Sequence, residues 1–465
     1  MTTPPMPKAH RPGISSVQTH NGLGIQHAQA HRLVEAERCF RQALALQPDF
    51  APALENLATL LVMNGRAAEA MPIFTRRRAL GRLSPTMMLN YSTALTAHGR
   101  LAEAERMLRN SEAANPSGST ASNLGNLLRQ LGRIDDAIHW LNRAVERSPQ
   151  VAEYHYNRAL TLLLAGRYRD GWSDYEWRRR KTWTSLATRN YSVPLWDGKP
   201  LEGTLFIYPE QGLGDTLQFI RFLSETKKHA HSVAFECPPR QQRLFASFAS
   251  ENSIVLCDGP SAVFAAHTGL MSLPYLLGLE LDDIAQHSEP YLHPEPGLVD
   301  TWRARLESDK LNIGIAWQGS PDYPRDAERS IPLQYFAPIA NVPGVRLISL
   351  QKGYGTEQIA HFGVPIVELG SDVDLQDAFV DTAAILASLD LIITSDTSVA
   401  HLAGSLGITT WLLLPFVPDW RWLMDRQDSP WYPSLRLFRQ EEPEDWSGVF
   451  ERVVTALVQH TAKQK

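Results

Sequence analysis

The chain has 465 residues, of which 43% are hydrophobic and 20% charged, so it is long enough for about three globular domains. It contains no run of about 18 apolar residues, and we therefore expect no membrane-spanning helix. The net charge of −5 combines a basic region, residues 1–181, with an acidic remainder: 24 Lys and Arg against 15 Asp and Glu, then 21 against 35. This asymmetry indicates two regions with different partners. No stripe of alternating aromatic and basic residues occurs, which argues against nucleic acid as a partner.

Residues 1–19 are polar and rich in proline and lack the apolar core of a secretory signal, so we predict a disordered leader. Three cysteines, Cys39, Cys237 and Cys257, are scattered with no CxxC pair. A sparse, odd set of thiols indicates a reducing compartment and argues against a zinc site. We therefore expect a cytoplasmic protein.

Residues 20–181 contain a repeat. Gly-Arg pairs begin at Gly65, Gly99, Gly132 and Gly166, at intervals of 34, 33 and 34 residues. Another 34 residues back stands His31-Arg32, where the surrounding pattern persists. Four residues after each glycine comes an acidic residue and then a small one: Glu69-Ala70, Glu103-Ala104, Asp136-Ala137 and Asp170-Gly171. This pattern resembles the tetratricopeptide repeat, in about five units.

The physical chemistry of the pattern agrees with paired helices. Glycine sits where one helix turns into the next, and the small residue lets the paired helices approach closely. One helix pair cannot bury its apolar stripe alone, so the units are expected to stack into an α-solenoid that binds a protein or peptide. Asparagines recur at inner positions of the first helix of each unit: Asn56, Asn90, Asn123 and Asn157. Such amides can hold a peptide backbone, or they can bond each other or water.

The last unit departs from the pattern in the stretch "GWSDYEWRRRKTW". Trp172, Tyr175 and Trp177 recur at helical spacing and predict an apolar capping face that packs on the next domain.

From residue 182 onward the periodicity changes to short apolar runs separated by amphipathic stretches, which predicts parallel strands alternating with helices. The predicted strands are residues 203–209, 232–238, 253–259, 311–317, 344–350, 365–369, 389–396 and 409–415. An acidic, proline-broken stretch at 287–300 reads as a linker between two Rossmann-like domains, residues 182–297 and 298–465. Ligands of such sheets bind at the carboxyl ends of the strands, so a site in the cleft between the domains is expected.

The first notable strand–helix junction is "PEQGLGDTLQF", residues 209–219. Gly212 and Gly214 allow a tight turn and close approach of a ligand to the backbone. Asp215 then stands at the start of a helix. An equally good interpretation makes Asp215 a helix N-cap, which contributes about 1 kcal/mol and has no chemical role.

The second junction is "LIITSDTSVAHLAGSLG", residues 391–407. A buried strand ends, and polar residues open a helix whose unpaired N–H groups, with the hydroxyls of Thr397 and Ser398, predict an anion site for phosphates. His401 lies one turn on, on the same face, where it can hydrogen-bond a phosphate or a sugar hydroxyl.

Together these junctions resemble those of heptosyltransferase-type glycosyltransferases, which are two-domain enzymes of the GT-B fold. The resemblance covers residues 200 to about 440. The whole architecture, repeats included, also resembles bacterial tetratricopeptide proteins that carry a glycosyltransferase module and, distantly, protein O-GlcNAc transferases. The fold class implied is an α-solenoid followed by an α/β GT-B module with two Rossmann-like domains facing a cleft.

The resemblance also implies roles for individual residues. Asp215 takes the position of the general base that acts on the acceptor hydroxyl. Arg329 takes that of a cation, often lysine in the family, which neutralises the donor diphosphate. The remaining positions implied for binding of the nucleotide-sugar are Gly212, Gly214, Lys352, Asp396, Thr397, Ser398 and His401. For Lys352, a solvent-facing loop lysine is the alternative. "DVD" at residues 372–374 resembles a metal motif of another transferase fold, but GT-B enzymes generally do without it, and no metal is expected.

The leading hypothesis is thus an inverting, metal-independent glycosyltransferase that uses a nucleotide-sugar as co-substrate and no further cofactor. The acceptor is a glycan, a lipid-linked saccharide or a protein side chain. The alternative from another class is a tetratricopeptide scaffold whose transferase module has lost activity. A dehydrogenase is disfavoured, because no GxGxxG with an acid about 20 residues on is present.

Overall fold

The computed structural model divides into two compact units, Met1–Asn157 and Arg158–Lys465. The residues that the structure describes are 14–181, 189, 191–260, 263–306 and 308–463. The division at residue 157 falls inside the predicted repeat region and not at the predicted boundary of 181/182. Helix α1 begins at Ile14, within the predicted leader, and the rest of that leader lies outside the described residues.

The N-terminal part of the chain is helical throughout. Its helices are α1 (Ile14–Gln29), α2 (Leu33–Leu46), α3 (Ala51–Met63), α4 (Ala67–Ala79), α5 (Pro85–Ala97), α6 (Leu101–Ala114), α7 (Gly118–Gln130), α8 (Ile134–Arg147), α9 (Ala152–Leu164) and α10 (Tyr168–Tyr175). From α1 to α8, each helix packs on the next one along the chain. These helices form a tetratricopeptide-repeat solenoid, as the repeat pattern predicted. No helix among the described residues is long and apolar enough to cross a membrane.

The Gly-Arg pairs end the first helix of each unit. Gly65, Gly99, Gly132 and Gly166 all adopt left-handed φ angles of 70–74°. The N–H of the following arginine then bonds a carbonyl five residues back, as in Arg66 N to Leu61 O at 2.8 Å. This is a Schellman-type helix end, which glycine adopts without strain. His31, the position reached by counting back one repeat, takes the same conformation with φ 55°.

The acidic and small residues of each repeat have separate local tasks. The arginine of each Gly-Arg pair bonds the acid three residues later, and the pairs are Arg66–Glu69, Arg100–Glu103, Arg133–Asp136 and Arg167–Asp170. The alanines that follow three of these acids, Ala70, Ala104 and Ala137, are completely buried. A larger side chain there would separate the helices, so close packing requires the small residue.

Three of the recurrent asparagines, Asn56, Asn90 and Asn157, bond other polar side chains of the repeats. Asn56 Nδ2 donates to Asn21 Oδ1 at 3.0 Å, and Asn90 Nδ2 donates to Thr59 Oγ1 at 2.8 Å. Of the two interpretations that the sequence left open, these contacts favour amides that bond within the solenoid.

The second unit contains two parallel sheets. The first sheet comprises β1 (Leu201–Tyr208), β2 (Ala230–Glu236), β3 (Ile254–Cys257) and β4 (Ala266–Gly269), in the order β3-β2-β1-β4. All its pairings are parallel. The helices that follow its strands are α11 (Leu213–Phe219), α12 (Leu223–Thr226), α13 (Pro239–Glu251), α14 (Leu273–Leu276), α15 (Leu281–Gln286) and α16 (Pro296–Leu306).

The second sheet comprises β5 (Leu311–Ala316), β6 (Val345–Ser349), β7 (Leu391–Ser395), β8 (Thr410–Leu414) and β9 (Leu435–Arg439), in the order β6-β5-β7-β8-β9. It is also wholly parallel. Its helices are α17 (Asp326–Arg329), α18 (Ala337–Ala340), α19 (Val380–Leu386), α20 (Ser398–Ser405) and α21 (Trp446–Lys463). The apolar side chains of its central strands pack on α18 and α21 in one buried core.

Two features of the α/β region differ from the sequence prediction. The stretch 365–369 forms no strand, because only Val367 bonds the edge of β6. Strands β4 and β9 were not predicted. In the predicted linker, Tyr291 N and Leu292 N both donate to Ser405 O, at 3.0 and 3.1 Å.

Each sheet has a switch point where the strand order reverses, between β1 and β4 in the first and between β5 and β7 in the second. The carboxyl ends of the strands at such points leave a crevice that commonly receives a ligand. Glu210 and Gly269 lie at the first crevice, and Trp317 and Asp396 lie at the second.

Candidate functional site

Asp215 lies in the first turn of α11, directly after the carboxyl end of β1, and its side chain is 21% exposed. Gly212 is the N-cap of that helix, so Asp215 is not the cap that the alternative interpretation required. One carboxylate oxygen, Oδ1, accepts a short hydrogen bond from Nη2 of Arg421. Burial raises the pKa of Asp215 above its ordinary value; Arg421 opposes this shift, and Asp419 adds to it. The carboxylate thus has one anchored oxygen and a raised basicity.

The two predicted junctions meet at Gly214. A Cβ on Gly214 would lie 3.0 Å from Cδ2 of His401 and 3.6 Å from Cα of Ser398. The space that this glycine leaves is therefore occupied by α20, which corrects the expectation that it admits a ligand. Gly212 has φ −67° and ψ 168°, angles open to any residue, so its backbone conformation does not demand glycine.

Arg421 joins the two halves of the site. The residue is 7% exposed, and it donates to Asp215, to Gln218 Oε1 and, at 2.7 Å, to Asp419 Oδ1. Burial alone would lower the pKa of Arg421, but Asp419 and Asp215 raise it above its ordinary value. Arg421 and Asp419 were not among the predicted site residues. The available signal was the charged stretch "PDWRW", residues 418–422, which two residues separate from the apolar run 409–415 of a predicted strand.

The N-terminus of α20 has unsatisfied polar groups. Its N-cap, Thr397, makes no side-chain cap bond. Thr397 Oγ1 and Ser395 Oγ are buried and, among the described residues, have no hydrogen-bond partner. Buried hydroxyls are nearly always bonded, and two of them near the N–H groups of a helix start suit an acceptor-rich ligand. Ser395 was not among the predicted site residues.

Arg329 lies beside this helix start. Its Nη1 donates to Asp396 O at 2.9 Å, and its Nε donates to Asp326 Oδ1 at 3.0 Å. The guanidinium lies 4.4 Å from the centre of the Tyr323 ring. Gly319 provides the space, because a Cβ there would lie 2.4 Å from Arg329 Nη2. The structure therefore places Arg329 at the switch point of the second sheet, next to Asp396.

Three carboxylates share this region. Burial raises the pKa of Asp396 from 3.8 to about 6, and the negative charge of Asp419 adds to that shift while Arg329 opposes it. Burial also raises the pKa of Tyr323 to about 12, again with a contribution from Asp419. The negative charge of Asp419 contributes to the raised pKa values of Asp215, Asp396 and Tyr323.

His401 is part of the packed interior. Its ring stacks on Trp422 with centroids 5.4 Å apart, and its Nδ1 lies 3.0 Å from the hydroxyl of Tyr432. Burial lowers the pKa of His401 well below its ordinary value, and Arg421 adds to this effect. The ring is therefore neutral at pH 7 and bonded to a protein hydroxyl, in contrast to the predicted contact with a phosphate or sugar.

Lys352 is bonded to the chain. Its Nζ donates to Val373 O at 2.5 Å and to Asp374 Oδ2 at 3.0 Å. Asp374 also accepts bonds from the backbone N and the hydroxyl of Thr382. The last acid of "DVD" thus holds a loop together. Among the described residues, no group of three or more His, Cys, Asp or Glu side chains is arranged to hold a metal ion.

A cavity of about 750 Å³ lies away from these residues. Asp300, Lys310, Asn312 and Asp390 line it, at the amino ends of β5 and β7. Ligands of open parallel sheets bind at the opposite, carboxyl edge, so we assign no function to this cavity.

Comparison with known proteins supports the repeats directly. One family model, described as a tetratricopeptide repeat, matches residues 39–71, and another, described as a TPR repeat, matches residues 125–166. Protein FlbA of Caulobacter vibrioides is 26% identical over 499 residues, an alignment that covers 94% of this chain and 83% of that protein.

Similar solved structures include the MamA protein, which is 15% identical with a TM-score of 0.32, over 39% of this chain and 99% of MamA. YrrB, described as a TPR protein with an unusual peptide-binding site, is 17% identical with a TM-score of 0.30, over 35% of this chain and 84% of YrrB. PilF of Pseudomonas aeruginosa is 18% identical with a TM-score of 0.33, over 38% of this chain and 78% of PilF.

Proposed function

We propose that the α/β region is an inverting glycosyltransferase of the GT-B type, which transfers a sugar from a nucleotide-sugar donor to a glycan or protein acceptor. The observation that carries the proposal is the start of α20. Two buried hydroxyls, Ser395 Oγ and Thr397 Oγ1, lack a partner among the described residues and lie beside the open N–H groups of a helix. A diphosphate supplies oxygen acceptors for all of them, and the helix dipole favours its negative charge.

Arg329 completes the proposed diphosphate site. Its Nη1 and Nε already donate to protein oxygens, which fixes the guanidinium beside Asp396, and Nη2 is directed toward Gly319 with no acceptor among the described residues. A positioned guanidinium stabilises the charge that develops on a departing diphosphate. The cation and the helix start together supply positive potential without a metal, so we expect transfer to persist in the presence of EDTA.

Asp215 is the proposed general base. Its Oδ1 bonds Arg421, which leaves Oδ2 to take the proton of an acceptor hydroxyl. The acceptor oxygen then attacks the anomeric carbon of the donor sugar, and the bond from that carbon to the diphosphate breaks. The bonding pair leaves with the nucleoside diphosphate, and the configuration at the carbon inverts. A pKa raised above the ordinary value makes a carboxylate a better base near neutral pH.

The repeats are proposed to bind the acceptor or a docking protein, because tetratricopeptide solenoids present extended surfaces for proteins. The alternative, a scaffold without transferase activity, is favoured by one observation: a carboxylate oxygen of Asp215 is bonded to Arg421.

Binding of UDP, GDP and ADP, measured by calorimetry and thermal shift, tests the proposal. We expect one of them to bind, and Thr397→Val to weaken that binding about tenfold. The variant should not be less stable, because it removes a buried hydroxyl that has no partner. The matched control is Thr410→Val on the adjacent strand, whose buried hydroxyl bonds Ile408 O at 2.9 Å. This variant should lose stability and keep affinity. Absence of binding by all three nucleotides would favour the inactive scaffold.

A further inference from the structure

Arg178 is a buried arginine that lies outside the site described above. It belongs to the turn Glu176–Arg180, which follows α10, and its side chain is 2% exposed. Its Nε and Nη2 both donate to the carboxylate of Glu210 at 2.8 Å, and Nη2 also donates to Ser272 Oγ at 2.7 Å. Its Nη1 donates to Glu176 at 2.6 Å. An arginine at the end of a helical repeat thus binds a residue just after the first strand of the first sheet through a bidentate ion pair.

Glu210 stands in the segment 209–215, which joins β1 to the first turn of α11 and is here called the Asp215 loop. The side chain of Glu210 is 1% exposed and occupies the switch-point crevice between β1 and β4. Gly269 is necessary for this placement, because a Cβ on it would lie 1.5 Å from Glu210 Oε1. The next residue, Gln211, donates from Nε2 to the hydroxyl of Tyr175 at 2.9 Å. Two consecutive side chains of the loop are therefore held by α10 and its turn.

The same helix supports the Arg421 side of the site. Trp172 is 1% exposed and packs against Trp420 and Phe219, with ring centroids 5.3 and 6.2 Å apart. Trp420 in turn lies under the guanidinium of Arg421, 4.3 Å away. Helix α10 therefore contacts the elements that carry Asp215 and the element that carries Arg421.

We propose that Arg178 is a positioning residue for the Asp215 loop. Helix α10, the last helix of the repeat region, thereby supports the transferase site. This inference rests on the proposed function. The pair between Arg178 and Glu210 fixes where the loop leaves β1, and this sets the direction in which Asp215 meets an acceptor hydroxyl. Bidentate pairing is geometrically specific, because a guanidinium and a carboxylate fit in one plane.

Energetics support a positional role over a purely stabilising one. A buried ion pair gains little net stability, and apolar residues of similar volume often replace one at no cost. Trp172 and Tyr175 already supply apolar packing around this turn. The added contribution of the charged pair is the fixed geometry of Glu210.

The test compares Arg178→Met with Arg179→Met in the full chain. Arg179 lies in the same turn, its side chain is 22% exposed, and its Nη1 lies 3.9 Å from a carboxylate oxygen of Glu176. We expect Arg178→Met to lower kcat about a hundredfold with little change in the donor KM, because a small displacement of a base costs rate rather than binding. Arg179→Met should change neither. Hydrogen exchange of the amides in residues 209–219 should become at least about tenfold faster in Arg178→Met alone.

The double variant Arg178→Met with Glu210→Gln removes both charges of the pair. It controls for a loss of kcat that is caused only by unfolding of the single variant. We expect it to recover thermal stability but not kcat. Arg178→Lys should also retain low kcat, because an ammonium cannot form the two-pronged pair. Full kcat in Arg178→Met, or recovery of kcat together with stability in the double variant, would overturn the positioning role.

The two proposals fail in different ways. The proposed function is refuted if the wild-type chain transfers no sugar from any nucleotide-sugar donor. In that case the hydrogen-exchange measurement still decides whether Arg178 holds the Asp215 loop in place. Unchanged exchange in Arg178→Met refutes the positioning role even in an active enzyme.

Discussion

The repeats and the α/β region use the same arginine–carboxylate pairs in different ways. In the repeats, one pair per unit joins residues three apart on the surface, as in Arg100–Glu103, where the arginine is 45% exposed. Two arginines that bond carboxylates of the α/β region are buried, and these partners are remote in sequence: Arg421 bonds Asp215, and Arg178 bonds Glu210. Exposed local pairs add little to stability, whereas buried distant pairs are costly to break and hold loops in place. The position of a pair therefore indicates whether it supports a helix or a site.

The largest expected effect concerns Asp215. Asp215→Asn keeps the size of the side chain and an oxygen for Arg421, but it removes the base. We expect kcat to fall by about a thousandfold, while the affinity for the nucleoside diphosphate changes little. Asp197→Asn is the control, since Asp197 pairs with Lys199 on the surface. Retained turnover in Asp215→Asn would dismiss Asp215 as the base.

The contrast between buried and exposed pairs is tested by two matched variants. Arg421→Met leaves Asp215 and Asp419 without their buried partner and should lower the free energy of unfolding by about 3–5 kcal/mol. Arg100→Met removes a surface pair and should lower it by less than about 1 kcal/mol. Chemical denaturation at pH 7 measures both. Equal losses in the two variants would contradict the comparison.

The raised pKa of Asp396 predicts a stability–pH difference. Because its pKa is 3.8 when unfolded and about 6 when folded, the folded state binds its proton more tightly, and this contribution is lost as the pH rises from about 4 to about 6. Above that range the buried charge destabilises the folded state. Asp396→Asn cannot ionise, so it should be more stable than wild type above pH 6 and equal to it below pH 4.

The difference between the two denaturation curves isolates this effect. His267 and His401 are buried and neutral, and their pKa values are lowered, so they make the folded state less stable as the pH falls. Their contribution is the same in wild type and in Asp396→Asn. A difference that does not depend on pH would contradict the assignment of the shift to Asp396.

The smallest predicted effect lies in the first repeat. His31 adopts the left-handed conformation that glycine takes in the later repeats, at a cost of about 1 kcal/mol. We expect His31→Gly to raise the free energy of unfolding by up to about 1 kcal/mol. His98 also lies at a helix end, but its φ is −104°. We therefore expect His98→Gly to lower the free energy of unfolding. Thermal denaturation of both variants checks the prediction.

The sequence by itself determined the repeats and most of the strands. The Gly-Arg period could be read directly, because each repeat closes its own helix end and its own ion pair within a few residues. Most apolar runs became strands at their predicted positions, since a strand buried on both faces needs a continuous apolar stretch. The exceptions were of two kinds. The predicted strand 365–369 contributes only a single bridge, and the strands β4 and β9, at the edges of their sheets, were not predicted.

The sequence also determined which junctions matter, because glycines, acids and hydroxyls after a buried strand are visible as a pattern. Only the tertiary structure decided which of those residues meet. It placed Arg329 beside Asp396, placed His401 in the core, tied Lys352 to Asp374, and brought Arg421 and Arg178 to a site from elements with no motif. The physical reason is that the hydrogen bonds at a helix end join residues close in sequence. A buried guanidinium instead bonds a carboxylate that is distant in sequence and comes near only in the folded chain.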